Sequence, residues 1–328
     1  MQQTIRIGTR DSQLAVWQAT LVRDQLVAGG HSAELVYIKS EGDIDLVTPL
    51  YAIGVQGVFT RTLDAALLSG RIDMAVHSMK DVPVQLAQGL AAAAVLTRAN
   101  PGDLFVYKGD AAFLDDPESI ATIATSSLRR RAQWLHRYPH HRIDNLRGNV
   151  NTRLAKVASS DWQGALFAAA GLERIGLRPA NSIPLDWMLP APAQGAILVA
   201  CREDDTRIRS VCAPLHHEPT ALCVDMERTF LSALMGGCST PIGALAEIAG
   251  DHLRFRGNAC SLDGKTCLSV EKKVPLPAEL SAQAPTGESL AQASLGESRR
   301  AATADLARAA AGELLARGAT TLIQKVTT

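Results

Sequence analysis

Aromatic residues are scarce in this chain: four Trp, four Tyr and six Phe in 328 residues. So few rings offer no evident stacking platform for single-stranded nucleic acid. Net charge is missing too, because 33 Lys and Arg balance 33 Asp and Glu. Nucleic acid is therefore not expected as a partner. Long apolar runs are absent; Gly89 to Leu96, a clearly apolar stretch, falls far short of the ~18 residues that a membrane span needs. The opening Met-Gln-Gln-Thr-Ile-Arg-Ile-Gly has no apolar signal core, so a soluble chain in the cytoplasm is expected. Cysteine does not occur before Cys201, and the set Cys201, Cys212, Cys223, Cys238, Cys260 and Cys267 contains no Cys-x-x-Cys pair. That spacing disfavours structural zinc, and a disulfide framework is not expected in an unexported chain of this size. Most of these thiols are expected to be small buried apolar groups. Gly-x-Gly-x-x-Gly, Walker, Gly-x-Ser-x-Gly and His-Glu-x-x-His motifs are all missing, and no metal site is expected.

What remains is an ordinary globular composition, 47% hydrophobic and 20% charged. Its length predicts two or three domains at roughly 100–200 residues each. The first half alternates strand, polar loop and helix. Thr4 to Gly8, Ala33 to Lys39 and Arg71 to His77 read as strands. Leu14, Trp17 and Leu21, and then Phe59, Leu63, Ala66 and Leu67, recur at helical spacing. From about Pro101 the pattern restarts, with strands at Ser119 to Thr125, His141 to Leu146 and Ala165 to Ala170, and helices at Leu128 to Arg137 and from Thr152. Such alternation calls for α/β domains with mostly parallel sheets. Ligands of those sheets sit outside the carboxyl ends of the strands. After a strand at Ala196 to Cys201, the order changes to a long helix (Glu218 to Met235), three strands (Ile242–Ile248, Leu253–Cys260, Cys267–Val274), a helix around Ala302–Arg317 and a strand near Thr321–Val326. Pro275 to Glu297, rich in Ala, Ser, Gln, Gly and Pro, reads as a loop with little fixed structure.

The neutral total conceals a local excess of positive charge. Between Arg129 and Lys156 stand Arg129, Arg130, Arg131, Arg137, Arg142, Arg147, Arg153 and Lys156 against one acid, Asp144. Guanidinium forks suit carboxylate or phosphate, and a polyanionic small molecule fits this cluster better than nucleic acid. Ser126 and Ser127 before the helix bearing Arg129 and Arg130 combine hydroxyls, backbone donors and cations at a helix start. The plainer alternative is a cap with solvated arginines. Ser78, Lys80 and Asp81 close a strand, where they are either an electrostatic catalytic group or a loop ion pair. Cys238 follows Gly236-Gly237 on a sterically open turn, and the plainer reading is an inert buried thiol.

Taken together, these segments resemble the porphobilinogen deaminase family. The resemblance rests on Thr9-Arg10-Asp11-Ser12 with Trp17-Gln18-Ala19, and on Arg71 to Pro83 with its His-Ser-Met-Lys-Asp-Val-Pro. It continues in Thr125-Ser126-Ser127-Leu128-Arg129-Arg130, Leu146-Arg147-Gly148-Asn149-Val150 with Thr152-Arg153, Ala170-Gly171-Leu172 with Arg174, and Gly236-Gly237-Cys238 with Pro241-Ile242-Gly243. The resemblance implies two α/β domains like those of periplasmic-type binding proteins around a cleft, plus a smaller C-terminal α+β domain. The boundaries it suggests are residues 1–98 with 196–214, then 101–192, then 218–328. It also implies joining of four porphobilinogen molecules, with loss of ammonia, on a dipyrromethane held by a thioether at Cys238, and release of linear hydroxymethylbilane by water.

By family position, Ser78, Lys80, Asp81, Thr125, Ser127, Arg129, Arg130, Arg147 and Arg153 are expected to hold the cofactor. Arg10, Ser12, Gln18, Phe59 and Arg174 are expected to meet the incoming substrate, sharing Arg147 and Arg153, with Phe59 stacking on the ring. Asp81 is the expected catalytic group, and a monomer is the expected state. The chain departs from the family pattern at Gln56, where relatives commonly carry Lys, at Ala193, where glycine is usual, and at Asp11 beside Arg10. A competing reading is a non-catalytic two-lobed anion-binding protein. Asp81 and Cys238 separate the two readings, because a mere receptor needs neither.

Overall fold

A computed structural model of the chain describes residues 3–39, 60–116, 118–237, 240–276 and 290–324. Gln56, Phe59, Cys238 and residues 277–289 of the Pro275–Glu297 segment lie outside the described residues. The strands are β1 (Ile5–Thr9), β2 (Ala33–Tyr37), β3 (Met74–Ser78), β4 (Leu90–Val95), β5 (Asp103–Tyr107), β6 (Thr122–Ala124), β7 (Arg142–Asp144), β8 (Gly164–Ala168), β9 (Ser182–Pro184), β10 (Ile197–Arg202), β11 (Ile242–Ala249), β12 (His252–Cys260) and β13 (Cys267–Pro275). The helices are α1 (Gln13–Ala28), α2 (Arg61–Leu68), α3 (Leu128–Arg137), α4 (Val150–Ser159), α5 (Ala169–Glu173), α6 (Thr206–Cys212), α7 (Glu218–Ala233), α8 (Leu290–Ala316) and α9 (Ala319–Gln324).

These elements fall into two compact units. The first comprises Met1–Ser126, His140–Leu185 and Gln194–His217. It contains two five-stranded sheets, ordered β2-β1-β3-β10-β4 and β7-β6-β8-β5-β9. The expectation of mostly parallel sheets is corrected. In the first sheet, β1 runs parallel to β2 and β3, while β10 runs antiparallel to β3 and β4. The second repeats the scheme, with β6 parallel to β7 and β8, and β5 antiparallel to β8 and β9. The strands on which the chain enters a sheet from the other one, β5 and β10, arrive against the direction of their neighbours.

Side-chain alternation explains why both faces of the first sheet are covered. Met74 and Val76 of β3 point with Ile5, Ile7, Ile197 and Val199 toward Ala19, Val22 and Leu26 of α1. Ala75, between them, turns with Ala200 to the opposite face, against Leu63, Ala66 and Leu67 of α2. That is the period-two signature of a strand buried on both sides. The second sheet buries Leu104, Val106, Ala124, Ala165 and Phe167 with Val157 of α4 and Leu172 of α5.

The second unit comprises Ser127–Pro139, Asp186–Ala193 and Glu218–Thr328. It holds α3, α7, the antiparallel sheet β11-β12-β13, α8 and α9. The architecture is therefore α/β with a smaller C-terminal α+β part, as expected.

Local readings that fail do so for identifiable reasons. The strand expected near Thr321–Val326 is replaced by helix α9, whose buried Ala319 and Ile323 are four residues apart. The Pro275–Glu297 loop is shortened, because α8 begins at Leu290 in an Ala-rich stretch of high helix propensity. Strands β4, β5 and β9 and helix α6 were not anticipated. Cys201, Cys212 and Cys223 are buried thiols as expected, and burial pushes the Cys212 thiol up to about 12. A disulfide framework was not expected, and one bond, Cys260–Cys267, is present among the described residues. The β12–β13 register sets them directly opposite each other at the hairpin mouth.

Candidate active site

In the first unit, the predicted residues collect where strands end. Strand β1 gives way to Arg10, and the Ser12 hydroxyl then accepts the Ala15 N–H at 3.4 Å, so Ser12 is the N-cap of α1. One turn further, buried Gln18 turns its amide to the Ser78 hydroxyl at the end of β3, with the amide nitrogen 2.9 Å away. Residues Met79–Asp81 make a single 3₁₀ turn, fixed by the Met79 N–H on the Ala196 carbonyl (3.0 Å) and closed by the Val82 N–H on the Met79 carbonyl (3.2 Å). Met79 and Val82 are buried, and Lys80 and Asp81 between them stay half-buried. The preceding His77 is buried, and burial together with the positive Arg10 pushes its pKa down to about 4. It stays neutral at physiological pH, so the added cations of this strand end are Arg10 and Lys80.

The second sheet ends in the same way. Buried Thr125 follows β6 and donates its N–H to the Asp144 carbonyl at 2.9 Å. Ser126 ties this end to the neighbouring one, through the Asn145 side chain (2.8 Å) and the Leu146 carbonyl. Arg147 comes next and is 3% exposed. Asn149 caps α4 by accepting the Thr152 N–H at 2.9 Å. Arg153 on that helix folds back, its Nε donating to the Gly148 carbonyl at 2.7 Å, so Arg147 and Arg153 are brought to one turn. Arg174 closes α5 and spends Nη2 on the Gly195 carbonyl at 2.6 Å. Its guanidinium carbon lies 5.7 Å from the centre of a Trp17 ring, and burial pushes its pKa down to about 10. Among the described residues no carboxylate pairs with Arg174.

Ser127, Arg129 and Arg130 belong to the second unit. The Ser127 hydroxyl accepts the Arg130 N–H at 3.4 Å and caps α3. Arg129 and Arg130 are only 3% and 5% exposed, which excludes the plainer reading of solvated arginines. Arg129 donates Nη1 to the Leu189 carbonyl at 2.6 Å. The helix start and its cations favour an anion. Residues missed by the sequence reading also lie here. Glu227 on α7 is fully buried, and Gln133 and Asn258 form a buried pair at 3.1 Å. Glu227 was findable, because it shares helical spacing with buried Cys223, Phe230 and Leu231.

Forks, hydroxyls and a helix start are the donor set that suits a ligand with two carboxylates on every ring. A half-buried aspartate at a strand end adds a group able to stabilise positive charge. These features define an α/β enzyme that handles a polycarboxylate. Residues 5–210 match the family model described as "Porphobilinogen deaminase, dipyromethane cofactor binding domain", and residues 221–293 match "Porphobilinogen deaminase, C-terminal domain". The chain belongs to the porphobilinogen deaminase family. Its activity is that of a hydroxymethylbilane synthase, a transferase of tetrapyrrole biosynthesis with a dipyrromethane cofactor, and the competing reading as a mere anion receptor falls.

Solved structures with some likeness include the VFT2 domain of Bordetella pertussis BvgS (14% identity, 63% of this chain and 84% of that one, TM-score 0.39). An ancestral cationic amino acid solute binding protein (13%, 65% and 87%, TM-score 0.41) is another. A third is a nutrient binding protein from Burkholderia cenocepacia, bound to methionine (16%, 63% and 89%, TM-score 0.39). No helix among the described residues is long and apolar enough to cross a membrane.

Proposed function

We propose that the enzyme divides its work among three domains, residues 1–98 with 196–214, residues 101–192 and residues 218–328, a division that the three separate sheets support. Ser78, Lys80, Asp81, Thr125, Ser127, Arg129, Arg130, Arg147 and Arg153 hold the dipyrromethane. Arg10, Ser12, Gln18, Phe59 and Arg174, together with Arg147 and Arg153, receive porphobilinogen. The observation that carries this reading is the Gln18–Ser78 hydrogen bond of 2.9 Å. It joins two stretches sixty residues apart in sequence, so that the substrate set on α1 borders the turn bearing Lys80 and Asp81.

The dipyrromethane, when bound through a thioether at Cys238, supplies the primer on which the chain grows. The protein's own groups do the rest. Arginine forks neutralise and orient the acetate and propionate of each arriving ring. Asp81 accepts the pyrrole N–H and stabilises the positive charge left on the substrate as ammonia departs. A fixed carboxylate costs no reorganisation at that moment, which is why a rigid turn between buried Met79 and Val82 suits it. The enzyme works as a cytoplasmic monomer without a nucleic-acid partner.

Intact mass tests the attachment. Purified protein should be heavier than its sequence by two pyrrole units, and Cys238→Ser should lose the added mass while Cys201→Ser and Cys212→Ser keep it. A fully active protein with no added mass would overturn the assignment.

A further inference from the structure

One face of α1 carries Gln13, Leu14, Trp17 and Gln18, at separations of one, three and four residues. Each has a partner elsewhere in the first unit. The Gln13 side chain accepts the Asn151 amide at 2.9 Å, Leu14 lies beside Gly171, and Gln18 meets Ser78. Trp17 stands out because it is 36% exposed, a large ring left at the surface of a chain that has few. Among the described residues its ring contact is with the Arg174 guanidinium, 5.7 Å from the ring centre, within the range of a cation–π attraction.

Arg174 is held from a second side. The Gly195 carbonyl takes Arg174 Nη2 at 2.6 Å and also the Ala99 N–H at 3.1 Å, so both of its lone pairs are used. Gly195 has φ +88, and a Cβ there would sit 2.5 Å from the Ala99 carbonyl oxygen, so only glycine fits at the acceptor. The carbonyl pins one nitrogen, and the indole lies beside the guanidinium carbon, 5.7 Å from its ring centre. Nε and Nη1 have no hydrogen bond among the described residues and remain for an incoming carboxylate.

We propose that Trp17 is a positioning residue for substrate capture: its ring holds the Arg174 fork at the angle at which it receives a porphobilinogen carboxylate. The inference rests on the reading of Arg174 as a substrate residue. A guanidinium that rotates freely keeps its charge, but it must give up that freedom on binding and so loses the affinity that a preorganised two-pronged geometry supplies. Losing the ring should therefore weaken capture without touching the chemistry at Asp81 or the loading of cofactor.

Steady-state kinetics of holoenzyme with porphobilinogen, together with intact mass and thermal midpoint, test this. Trp17→Leu should raise KM about three- to tenfold, the range of a partly exposed cation–π contact, with kcat within twofold and the cofactor mass unchanged. Trp17→Tyr should restore most of the lost affinity, because it returns a π face. In an Arg174→Lys background, Trp17→Leu should add much less, since the fork is already gone. If Arg174→Lys raises KM and Trp17→Leu does not, the positioning role is overturned and the reading of Arg174 stands. If neither raises KM, both fall. An apoprotein from Trp17→Leu, or no rescue by Tyr, would make Trp17 a packing residue and overturn the inference.

Discussion

The Glu227 carboxylate is hydrogen-bonded to the backbone N–H of Ala193, with Oε2 at 2.7 Å, and its other oxygen takes the Ala246 N–H at 2.8 Å. Ala193 has φ +62, the left-handed region in which a Cβ is crowded. This is the position where the family pattern leads one to expect glycine. The chain keeps the conformation and bears the strain, and a fully buried carboxylate holds it in place.

Ala193→Gly should therefore raise stability by about 1 kcal/mol, strain relief being partly offset by the looser unfolded chain. Glu227→Gln should lower it by about 1–3 kcal/mol, because its amide must turn an N–H toward one of two backbone donors. Urea midpoints of the two variants check both signs. A stabilised Glu227→Gln would contradict the bond pattern.

Acid should weaken the fold through His77. Burial and the nearby Arg10 hold its folded pKa at about 4, against 6.5 for the ordinary group. The unfolded chain then takes up the proton first as pH falls, so this contribution is complete above about 6.5 and is lost between about 6.5 and 4. Its full size is on the order of 3 kcal/mol. Urea unfolding of wild type at pH 7 and pH 4.5 should show the loss, and His77→Gln should shrink the difference. An unchanged pH dependence in that variant would remove His77 as the cause.

Much of this was legible in residue order, and what was not has a common cause. The strand Arg71 to His77 could be read because Met74, Ala75 and Val76 are apolar without a break, as a strand covered on both faces must be. Strand β4, Leu-Ala-Ala-Ala-Ala-Val, escaped because alanine has little strand preference, and only pairing with β10 makes it one. The site shows the same division. The expectation that Arg129, Arg153 and Arg174 serve the site came from charge and motif. That their donors would rest on the carbonyls of Leu189, Gly148 and Gly195 did not, because tertiary folding alone decides where a carbonyl points.

Asp81→Asn should bind cofactor and substrate yet turn over about 10²–10³-fold more slowly, the usual cost of one preorganised electrostatic group. Asparagine keeps the size and an accepting oxygen but no longer offsets the substrate's positive charge. Asp81→Glu should be milder, since the charge survives and only its position shifts. Single-turnover rates on mass-verified holoenzyme measure this, and a near-normal Asp81→Asn would refute the role.

The arginines should separate by what accumulates when each is lost. Arg129 and Arg130 are buried on the first turn of α3 beside Ser127. Losing either should yield apoprotein, because the permanent group then has carboxylates without partners. Arg129→Leu also removes one of the two donors on the Leu189 carbonyl, which keeps the Gln133 amide at 3.0 Å. Arg10 and Arg174 lie at the ends of β1 and α5, and their loss should leave a loaded enzyme that stalls part-way through elongation. Lysine keeps the charge but loses the fork, so Arg174→Lys should stall less completely than Arg174→Leu. Leaving a desolvated carboxylate unpaired costs several kcal/mol, enough to block one step while sparing earlier ones. Mass spectra of each variant before and after porphobilinogen resolve the bound species ring by ring. If Arg174→Leu lacked cofactor, or Arg129→Leu were loaded and active, the division between assembly and elongation would be wrong.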